Sequence, residues 1–423
     1  MKRVLIAFVI VLGLLGTAGS ASATNGDNLI AIGPVARAMG GVGVASPQDA
    51  ISAVFVNPAA MCFGPYCPSS EMNFGGTLFM PKVDTRVSFP ASGTVISADS
   101  EDKVYPIPAI GLSVPITDRP PFWRFGLSAY GVSGLGVDYK GTAVDQPAFY
   151  NFGPMGSFPL VSGAYSELAI MKFAPAVAFQ PFEKFSFGMA FHVDYAILDL
   201  RQGSSSGYGM GVQLGMIYKA LDGVSLGLSY TSPQNVNHDD VADFDGDGSL
   251  DRLKLESPHQ IAFGAAYRVN NKLLLEADVK WLNWSEANGY EDFDWEDQWV
   301  LGFGAQYKPI PKLTLRAGYC YGKNPLNTHD GFNGQVPVSV QGKTMPTYYY
   351  ETFRIVGFPA IVEHHLTFGL GYDFTSRFSM HAGFVHAFEK SVDESGTDIT
   401  GQPVALKSTL SENSVDFGFT WRF

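Results

Sequence analysis

The chain of 423 residues has few cysteines, few charges and, beyond its N-terminus, no long hydrophobic run. Three cysteines are too few for a disulfide-stapled scaffold. Charged residues make up 16% of the chain, whereas soluble domains have about 25%. Acidic residues outnumber Lys and Arg by 40 to 28, which argues against a nucleic-acid partner because nucleic acids bind to basic surfaces. No later apolar run reaches the ~18 residues that a membrane-spanning helix needs.

The N-terminus has the layout of a secretory signal peptide. Lys2 and Arg3 form a positive start, Val4 to Leu15 is apolar, and Ala21-Ser22-Ala23 offers a small-residue cleavage site. A transmembrane anchor would need roughly 20 apolar residues. We therefore expect residues 1–23 to be removed and the chain to be exported.

Aromatic residues and glycine are abundant, and apolar residues alternate with polar or small ones. Aromatics make up 13% of the chain, which also contains 47 glycines. The last segment is typical: apolar side chains occupy every second position from Val415 to Phe423, with polar or small residues between them. Period-two alternation places one set toward lipid and the other toward the lumen of a barrel. Fourteen such segments, one of them at 251–268, predict an all-β membrane protein: a 14-stranded antiparallel transmembrane β-barrel over residues 70–423.

The connections between these segments alternate in length. Tight turns are predicted at 118–121, 181–184, 220–223, 270–272, 309–312 and 375–377, and longer or more polar connections lie between them. Periplasmic turns and extracellular loops produce this alternation in outer-membrane barrels. Tyr and Trp near strand ends, Trp284 and Trp299 among them, are expected to form aromatic girdles at the membrane surfaces.

Residues 24–69 do not share the alternation. Between Asn28 and Met61 the only charged residues are Arg37 and Asp49, and Gly and Ala are frequent. A solvated tail would carry more charge. We therefore expect this segment to form a plug inside the barrel.

The plug sequence "NLIAIGPVARAMGGVGVASPQDAISAVFVNPAAM" resembles the N-terminal hatch of the FadL family of outer-membrane transporters. The matching residues are Gly33, Arg37, Ala38, Gly41, Ala45, Asp49, Ala50, Asn57, Pro58 and Ala59. The strand count, the alternating connections and the terminal Phe423 extend the resemblance over the whole mature chain.

This resemblance implies passive uptake of hydrophobic small molecules across the outer membrane of a Gram-negative cell. The expected ligands are long-chain fatty acids or related lipids, with aromatic hydrocarbons of the toluene type as the alternative. Ligand would be captured in outer loops, pass to a lumenal site and leave sideways into the membrane at a kinked third strand. Gly131, Gly134 and Gly136 could form that kink, or they could simply begin a Gly-rich loop.

The resemblance also carries expectations about partners. The barrel would be surrounded by outer-membrane lipid and lipopolysaccharide, and the barrel-assembly machinery would recognise Phe423. We expect a monomer that requires no cofactor and binds no nucleic acid.

Two groups of residues are candidates for ligand binding. The outer loop at 146–165 is apolar and would either capture ligand or pack on itself; its residues of interest are Phe149, Tyr150, Phe152, Met155, Phe158 and Leu160. The lumenal cations Arg316, Lys280 and Lys172 could meet a fatty-acid carboxylate. Alternatively, they could pair with lumenal carboxylates such as Glu276 and Asp278.

The stretch "DFDGDGSLDRLK" resembles an acidic calcium loop. Asp243, Asp245, Asp247 and Asp251 stand at positions that supply calcium ligands in such loops, and Gly248 suits the sharp turn. The twelfth position is Lys254 instead of a bidentate Glu. We expect either a structural calcium ion or a solvated acidic loop.

Two cysteines lie close together in "NPAAMCFGPYC". Cys62 and Cys67 have no His or further Cys nearby to complete a zinc site, and their spacing is not Cys-x-x-Cys. In an oxidising periplasm we expect a local disulfide between them, which would leave Cys320 unpaired.

The sequence favours transport over three other functions. His364 and His365 point to opposite faces of one strand and cannot both bind one metal ion, and no enzyme activity is expected. An adhesin would present polar loops, which the apolar 146–165 loop contradicts. A general polar porin would need an open lumen in place of a plug.

Overall fold

The computed structural model describes residues 24–145, 149–151 and 157–423. Fourteen antiparallel strands form a closed barrel, since the last strand pairs with the first along its length. The barrel strands are β1 Glu71–Phe89, β2 Tyr105–Pro115, β3 Phe122–Asp138, β4 Tyr165–Phe182, β5 Phe185–Asp199, β6 Ser204–Leu221, β7 Val224–Thr231, β8 Gln260–Arg268, β9 Leu273–Leu282, β10 Gln298–Ile310, β11 Leu313–Gly322, β12 His364–Asp373, β13 Phe378–Thr397 and β14 Pro403–Arg422. The predicted 14-stranded antiparallel barrel is confirmed. No helix in the described part of the chain is long and apolar enough to cross a membrane.

The barrel wall has an apolar outer face and a polar inner face. On β14 the outward Phe417 and Trp421 are about half exposed, whereas the inward Asp416 and Thr420 are buried. Because successive side chains of a strand point to opposite faces, the sequence alternation alone sets this arrangement. The exposed apolar side chains face lipid, and the buried polar ones face the contents of the lumen.

Short turns alternate with connections that are mostly long, although the β5–β6 connection (200–203) and the β13–β14 connection (398–402) are also short. The turns β4–β5 and β6–β7 consist of two residues each, at 183–184 and 222–223. One predicted strand is wrong: Asp251–Ser257 pairs with Gln234–Ala242 in a separate hairpin, and the barrel strand begins at Gln260. The hairpin lies in the long connection between β7 and β8, where its alternating pattern could not be distinguished from that of a barrel strand.

The segment before the barrel lies inside the lumen. It contains two short strands, Thr24–Asn25 and Asn28–Leu29, helix α1 (Pro34–Arg37), helix α2 (Ala50–Val56) and a 3₁₀ turn, Pro58–Cys62. Asp49 caps α2, because its carboxylate accepts from the backbone N–H of Ser52 at 2.8 Å. Nearly all of residues 24–62 are buried. We call residues 24–69 the hatch; the predicted signal peptide, residues 1–23, lies outside the described residues.

The connection between β11 and β12, residues 323–363, enters the lumen from the opposite end. We call it the long loop. It forms a small hairpin (Pro337–Val340 with Lys343–Pro346), helix α3 (Thr347–Thr352) and a π-helical turn (Phe353–Gly357). Residues 348–362 are all buried. The barrel is therefore filled from both ends, by the hatch and by the long loop.

Candidate functional site

Arg37 anchors the hatch to the barrel wall. Its Nε atom lies 2.8 Å from Oδ1 of Asp416, and both side chains are fully buried. The other guanidinium nitrogens donate to the carbonyl of Ala31 and the hydroxyl of Ser414, and Thr77 donates to the same Asp416 carboxylate. This arrangement explains why the hatch motif contains an arginine: a planar guanidinium donates in several fixed directions at once.

Two wall carboxylates bind the hatch backbone instead of side-chain cations. Oδ2 of Asp278 accepts from the N–H groups of Gly43 and Val44, at 2.8 and 3.1 Å. Oε1 of Glu276 accepts from the N–H groups of Ala45 and Ser46, both at 2.9 Å. The Gly-rich turn that follows Gly41 therefore presents four backbone donors to two buried carboxylates.

The Asn57-Pro58-Ala59 element lies directly on the wall. The Asn57 amide donates to the carbonyls of Val44, at 2.7 Å, and Met216, at 3.2 Å. The approach is so close that a Cβ atom on Gly188 would lie 2.2 Å from the Ala59 nitrogen. Glycine in strand β5 thus makes room for the hatch.

An outer cavity of about 280 Å³ lies among the loops at the other end. Its aromatic and apolar lining includes Phe158, Tyr165, Phe244, Met345, Tyr349 and Phe353. The rings of Phe158 and Tyr349 stack with their centroids 4.4 Å apart. Arg201 and Asp145 form an ion pair and also line the cavity. The cavity is therefore apolar with a charged part, as expected of a site that admits hydrophobic molecules.

Only some of the predicted capture residues can be placed relative to this cavity. Phe158 lines it, whereas Leu160 contributes its carbonyl as acceptor for the Tyr348 hydroxyl, at 2.8 Å. Phe149 and Tyr150 belong to a short strand, Phe149–Asn151, that pairs with Ser157–Pro159. Phe152 and Met155 lie outside the described residues.

The long loop and the loop between β3 and β4 cross beside the outer cavity. A Cβ atom on Gly163 would lie 2.7 Å from the Cα of Gly357. Gly163 also has φ +80°, a conformation that other residues rarely adopt. The Ser166 hydroxyl donates to the Gly357 carbonyl and closes the crossing. These two loops are thus held backbone against backbone.

A second, inner cavity of about 60 Å³ lies between the hatch and the wall. Its apolar lining comes from Leu29, Ile30, Phe55, Val56, Val132, Ala262 and Leu282. Its polar lining comes from Asn25, Asn28, Tyr130, Lys172, His192, Gln213, Ser229, Thr231, Gln260 and Lys280. The cavity is small in this closed arrangement, but it has the mixed character of a ligand site.

Strand β3 is irregular where it borders the inner cavity. Its pairing with β4 shifts register between Gly131 and Ser133, which leaves Val132 as an extra, unpaired residue. The hatch strand pairs with β3 at this point, Asn28 opposite Ser133. Beyond the bulge, the pairing of β3 with β4 continues without a further register shift through the segment that contains Gly134 and Gly136. The irregularity thus lies at Val132, at the start of the predicted glycine segment.

The three lumenal cations differ in position. Lys172 and Lys280 line the inner cavity, whereas Arg316 does not. Lys172 Nζ lies 3.4 Å from Asp194 Oδ2, and Lys280 donates to the hatch carbonyl of Gly41 at 3.1 Å. Arg316 donates through Nε to Gln306 at 2.9 Å. Each cation therefore already has an acceptor within the protein.

Sequence reasoning missed a buried ion network in the outer part of the barrel. Arg354 and its two carboxylate partners, Glu351 and Glu394, are fully or almost fully buried. His329 lies 2.7 Å from both Glu351 and Asp294. The hydrogen bond that His329 donates to Glu351 raises the pKa of His329 above its usual value. The i, i+3 spacing of Glu351 and Arg354 was the available signal, but it does not show which other loops join them.

The acidic loop brings three of its four predicted calcium ligands close together. Asp243, Asp245 and Asp247 each offer an oxygen within 4.8 Å of the others. Asp251 instead lies 2.6 Å from the ammonium of Lys343, which also contacts Asp245 at 2.9 Å. Calcium binding stays a prediction, and the ion would have to compete with this lysine.

The predicted disulfide between Cys62 and Cys67 is wrong, because both thiols are free. Cys62 is buried at the end of the 3₁₀ turn, and the Cys67 thiol instead points to the carbonyl of Met61, at 3.1 Å. Spacing along the chain did not reveal that the Cys67 thiol would donate to the backbone of the turn instead. Cys320 is also free and lies beside the Asn25 side chain.

Comparison with known proteins agrees with this architecture. Residues 199–339 match the family model "Outer membrane protein transport protein (OMPP1/FadL/TodX)". An outer membrane protein of Neisseria meningitidis serogroup B is 23% identical over 163 residues, which is 30% of this chain and 35% of that protein. The chain thus matches about a third of the length of this relative.

Solved structures share the whole fold. The toluene transporter TodX of Pseudomonas putida superposes with a TM-score of 0.64 at 20% identity, covering 93% of this chain and 99% of that one. A FadL homologue of Pseudomonas aeruginosa gives 0.63 at 15% identity, covering 96% and 99%. The family match over residues 199–339 and the shared barrel agree with the resemblance seen in the sequence.

Proposed function

We propose that this protein admits hydrophobic small molecules through the outer membrane by passive, stepwise transfer. A molecule first enters the outer cavity around Phe158 and Tyr349. It then passes to the inner cavity between hatch and wall, and leaves sideways through the wall at the β3 bulge. The observation that carries this proposal is that Val132, the extra residue of the bulge, also lines the inner cavity.

A lateral exit suits a hydrophobic cargo. Release into water would cost such a molecule about 25 cal/mol for each Å² of apolar surface exposed, and release into hydrocarbon avoids this cost. A bulge interrupts the hydrogen-bond ladder between β3 and β4, so less backbone pairing has to be disturbed there than elsewhere in the wall. The hatch and the long loop both fill the lumen, which argues against a porin with an open aqueous channel.

Two ligand classes are in accord with this route. The P. putida relative is named a toluene transporter and the P. aeruginosa relative a FadL homologue. Fatty acids or related lipids, and aromatic hydrocarbons, are therefore the cargoes to test first.

Deletion of Val132 tests the route. The deletion should restore regular pairing between β3 and β4, so that the barrel folds but the exit is closed. Uptake of radiolabelled toluene and oleate into cells should then fall to the level of cells without the protein. Val132→Ala, which shortens the side chain but keeps the bulge, is the matched control and should retain uptake. Undiminished uptake by a folded deletion variant would exclude an exit at this bulge.

A further inference from the structure

The inner cavity contains buried polar groups that the fold itself does not use. The hydroxyl of Tyr130, both ring nitrogens of His192, the amide nitrogen of Asn28 and the amide oxygen of Gln213 have no hydrogen-bond partner in the described part of the chain. The Gln213 amide lies beside the His192 ring without forming a bond of normal geometry. Tyr130 and His192 are 0% and 2% exposed. Buried polar groups are normally paired, so several unpaired ones around one cavity indicate a place for an external partner.

The charged groups of the same cavity are, by contrast, already compensated. Lys172 is paired with Asp194 and donates to Gln234 as well. Lys280 donates to two hatch carbonyls, those of Ile30 and Gly41. An incoming carboxylate would have to displace these partners or remain buried without a counter-charge, and an unpaired buried charge is strongly disfavoured.

The unused groups suit a neutral polar atom that both donates and accepts. A neutral imidazole offers one donor and one acceptor, and a tyrosine hydroxyl can do either. A ligand hydroxyl could bind between them, and its hydrocarbon part would contact the apolar side of the cavity around Phe55 and Val132. Phe55 already packs edge-on against Tyr130, with ring centroids 5.2 Å apart. A pure hydrocarbon would leave the polar groups unpaired.

We propose that the inner cavity selects hydrophobic molecules with a neutral hydrogen-bonding head, such as phenols and long-chain alcohols, over the matching carboxylates and hydrocarbons. This selection rests on the proposed uptake function and specifies its cargo. Tyr130 and His192 determine the specificity. Lys172 is paired with Asp194 in the wall, and Lys280 binds the hatch backbone.

Binding of two matched series to the purified protein tests the selection. The first series is p-cresol, toluene and p-toluate; the second is dodecanol, dodecane and dodecanoate, each radiolabelled and measured by equilibrium dialysis. We expect p-cresol and dodecanol to bind about tenfold more tightly than the other members of their series, because one additional hydrogen bond in a cavity of low polarity has about this effect. Tyr130→Phe should remove this advantage and leave toluene binding unchanged.

The matched control is Tyr195→Phe, which removes a hydroxyl from a tyrosine on the outward, lipid-facing side of β5. His192→Gln provides a second inward variant in case Tyr130→Phe does not fold. If the carboxylates bind most tightly and Lys172→Met abolishes that preference, the head-group selection is wrong but the uptake function stands. If Tyr130→Phe binds every ligand as the unchanged protein does, the cavity holds only water and the selection is equally wrong. If no member of either series binds, the proposed function itself fails.

Discussion

The hatch and the long loop both fill the barrel, but the wall holds them in different ways. The hatch is bound largely through its backbone: Asp278, Glu276 and Gln213 contact N–H or C=O groups of residues 43–56. Apart from its backbone crossing at Gly357, the long loop is bound mainly through side chains, in the ion network of Arg354 and in aromatic stacks such as Phe158 on Tyr349. Hydrogen bonds to the backbone hold the hatch in one conformation and depend little on which side chains the hatch carries. A side-chain network, by contrast, depends on the identity and the protonation state of each residue in it. We therefore expect the conformation of the hatch to stay the same under changes that alter the conformation of the long loop.

The largest expected effect is on the buried ion pair between the hatch and the wall, a hatch contact that depends on a side chain. Arg37→Ala leaves Asp416 buried without its cation, and should lower the free energy of unfolding by about 3–5 kcal/mol. Denaturant unfolding of the purified barrel in detergent measures this. The control is Arg252→Ala. Arg252 and its partner Asp239 are both exposed, so the substitution should lower the free energy of unfolding by less than about 1 kcal/mol. Equal effects of the two substitutions would show that Arg37 is not the anchor of the hatch.

The next largest effect should come from the long loop. Glu351→Gln removes one of two buried carboxylates around Arg354 but leaves Glu394, so we expect a local loss of about 2 kcal/mol. Hydrogen exchange should accelerate in residues 347–357 and remain slow in the hatch. Lys323→Gln, at an exposed pair with Glu296, is the control and should alter neither segment. Faster exchange in the hatch as well would mean that the two elements are coupled.

The protonation of His329 should make the long loop sensitive to pH. Its pKa is raised by the hydrogen bond to Glu351, and Asp294 and Arg354 also face the ring. A histidine whose pKa is higher in the folded protein than in the unfolded chain stabilises the folded state. This stabilisation is complete below the pKa in the unfolded chain, about 6.5, and is lost as the pH rises through the pKa in the folded protein. Hydrogen exchange in residues 347–357, corrected for its intrinsic pH dependence, should accelerate over that range. The acceleration should be absent in His329→Gln; if it persisted there, another group would be responsible.

The smallest effect should come from the aromatic lining of the outer cavity. Phe158→Ala removes the stack on Tyr349, which contributes about 0.5–1.5 kcal/mol beyond area burial. Uptake should weaken because the cavity loses apolar surface, while the unfolding free energy of the barrel hardly changes. Phe182→Ala, at an exposed residue at the end of β4, is the control. Unchanged uptake by Phe158→Ala would argue against capture at this site.

The sequence predicted the barrel and the hatch motif far better than the contents of the lumen. Alternation is a local property, so the fourteen strands and the inward position of Lys172 could be read along the chain. The partners of Lys172, by contrast, come from strands and loops distant in sequence, Asp194 and Gln234 among them. Trp284, expected in a girdle, is fully buried because its 3₁₀ turn folds inward against the hatch at Gly26. Contacts between non-local segments thus set the details of both cavities.

The most direct test of the account is to locate a ligand inside the barrel. Crystals grown with 4-bromotoluene allow the bromine atom to be found by its anomalous scattering. We expect bromine in the inner cavity between Phe55, Tyr130 and Val132, next to the β3 bulge, in addition to the outer cavity. Bromine in a path through the hatch toward the periplasmic end, with none beside Val132, would contradict lateral release.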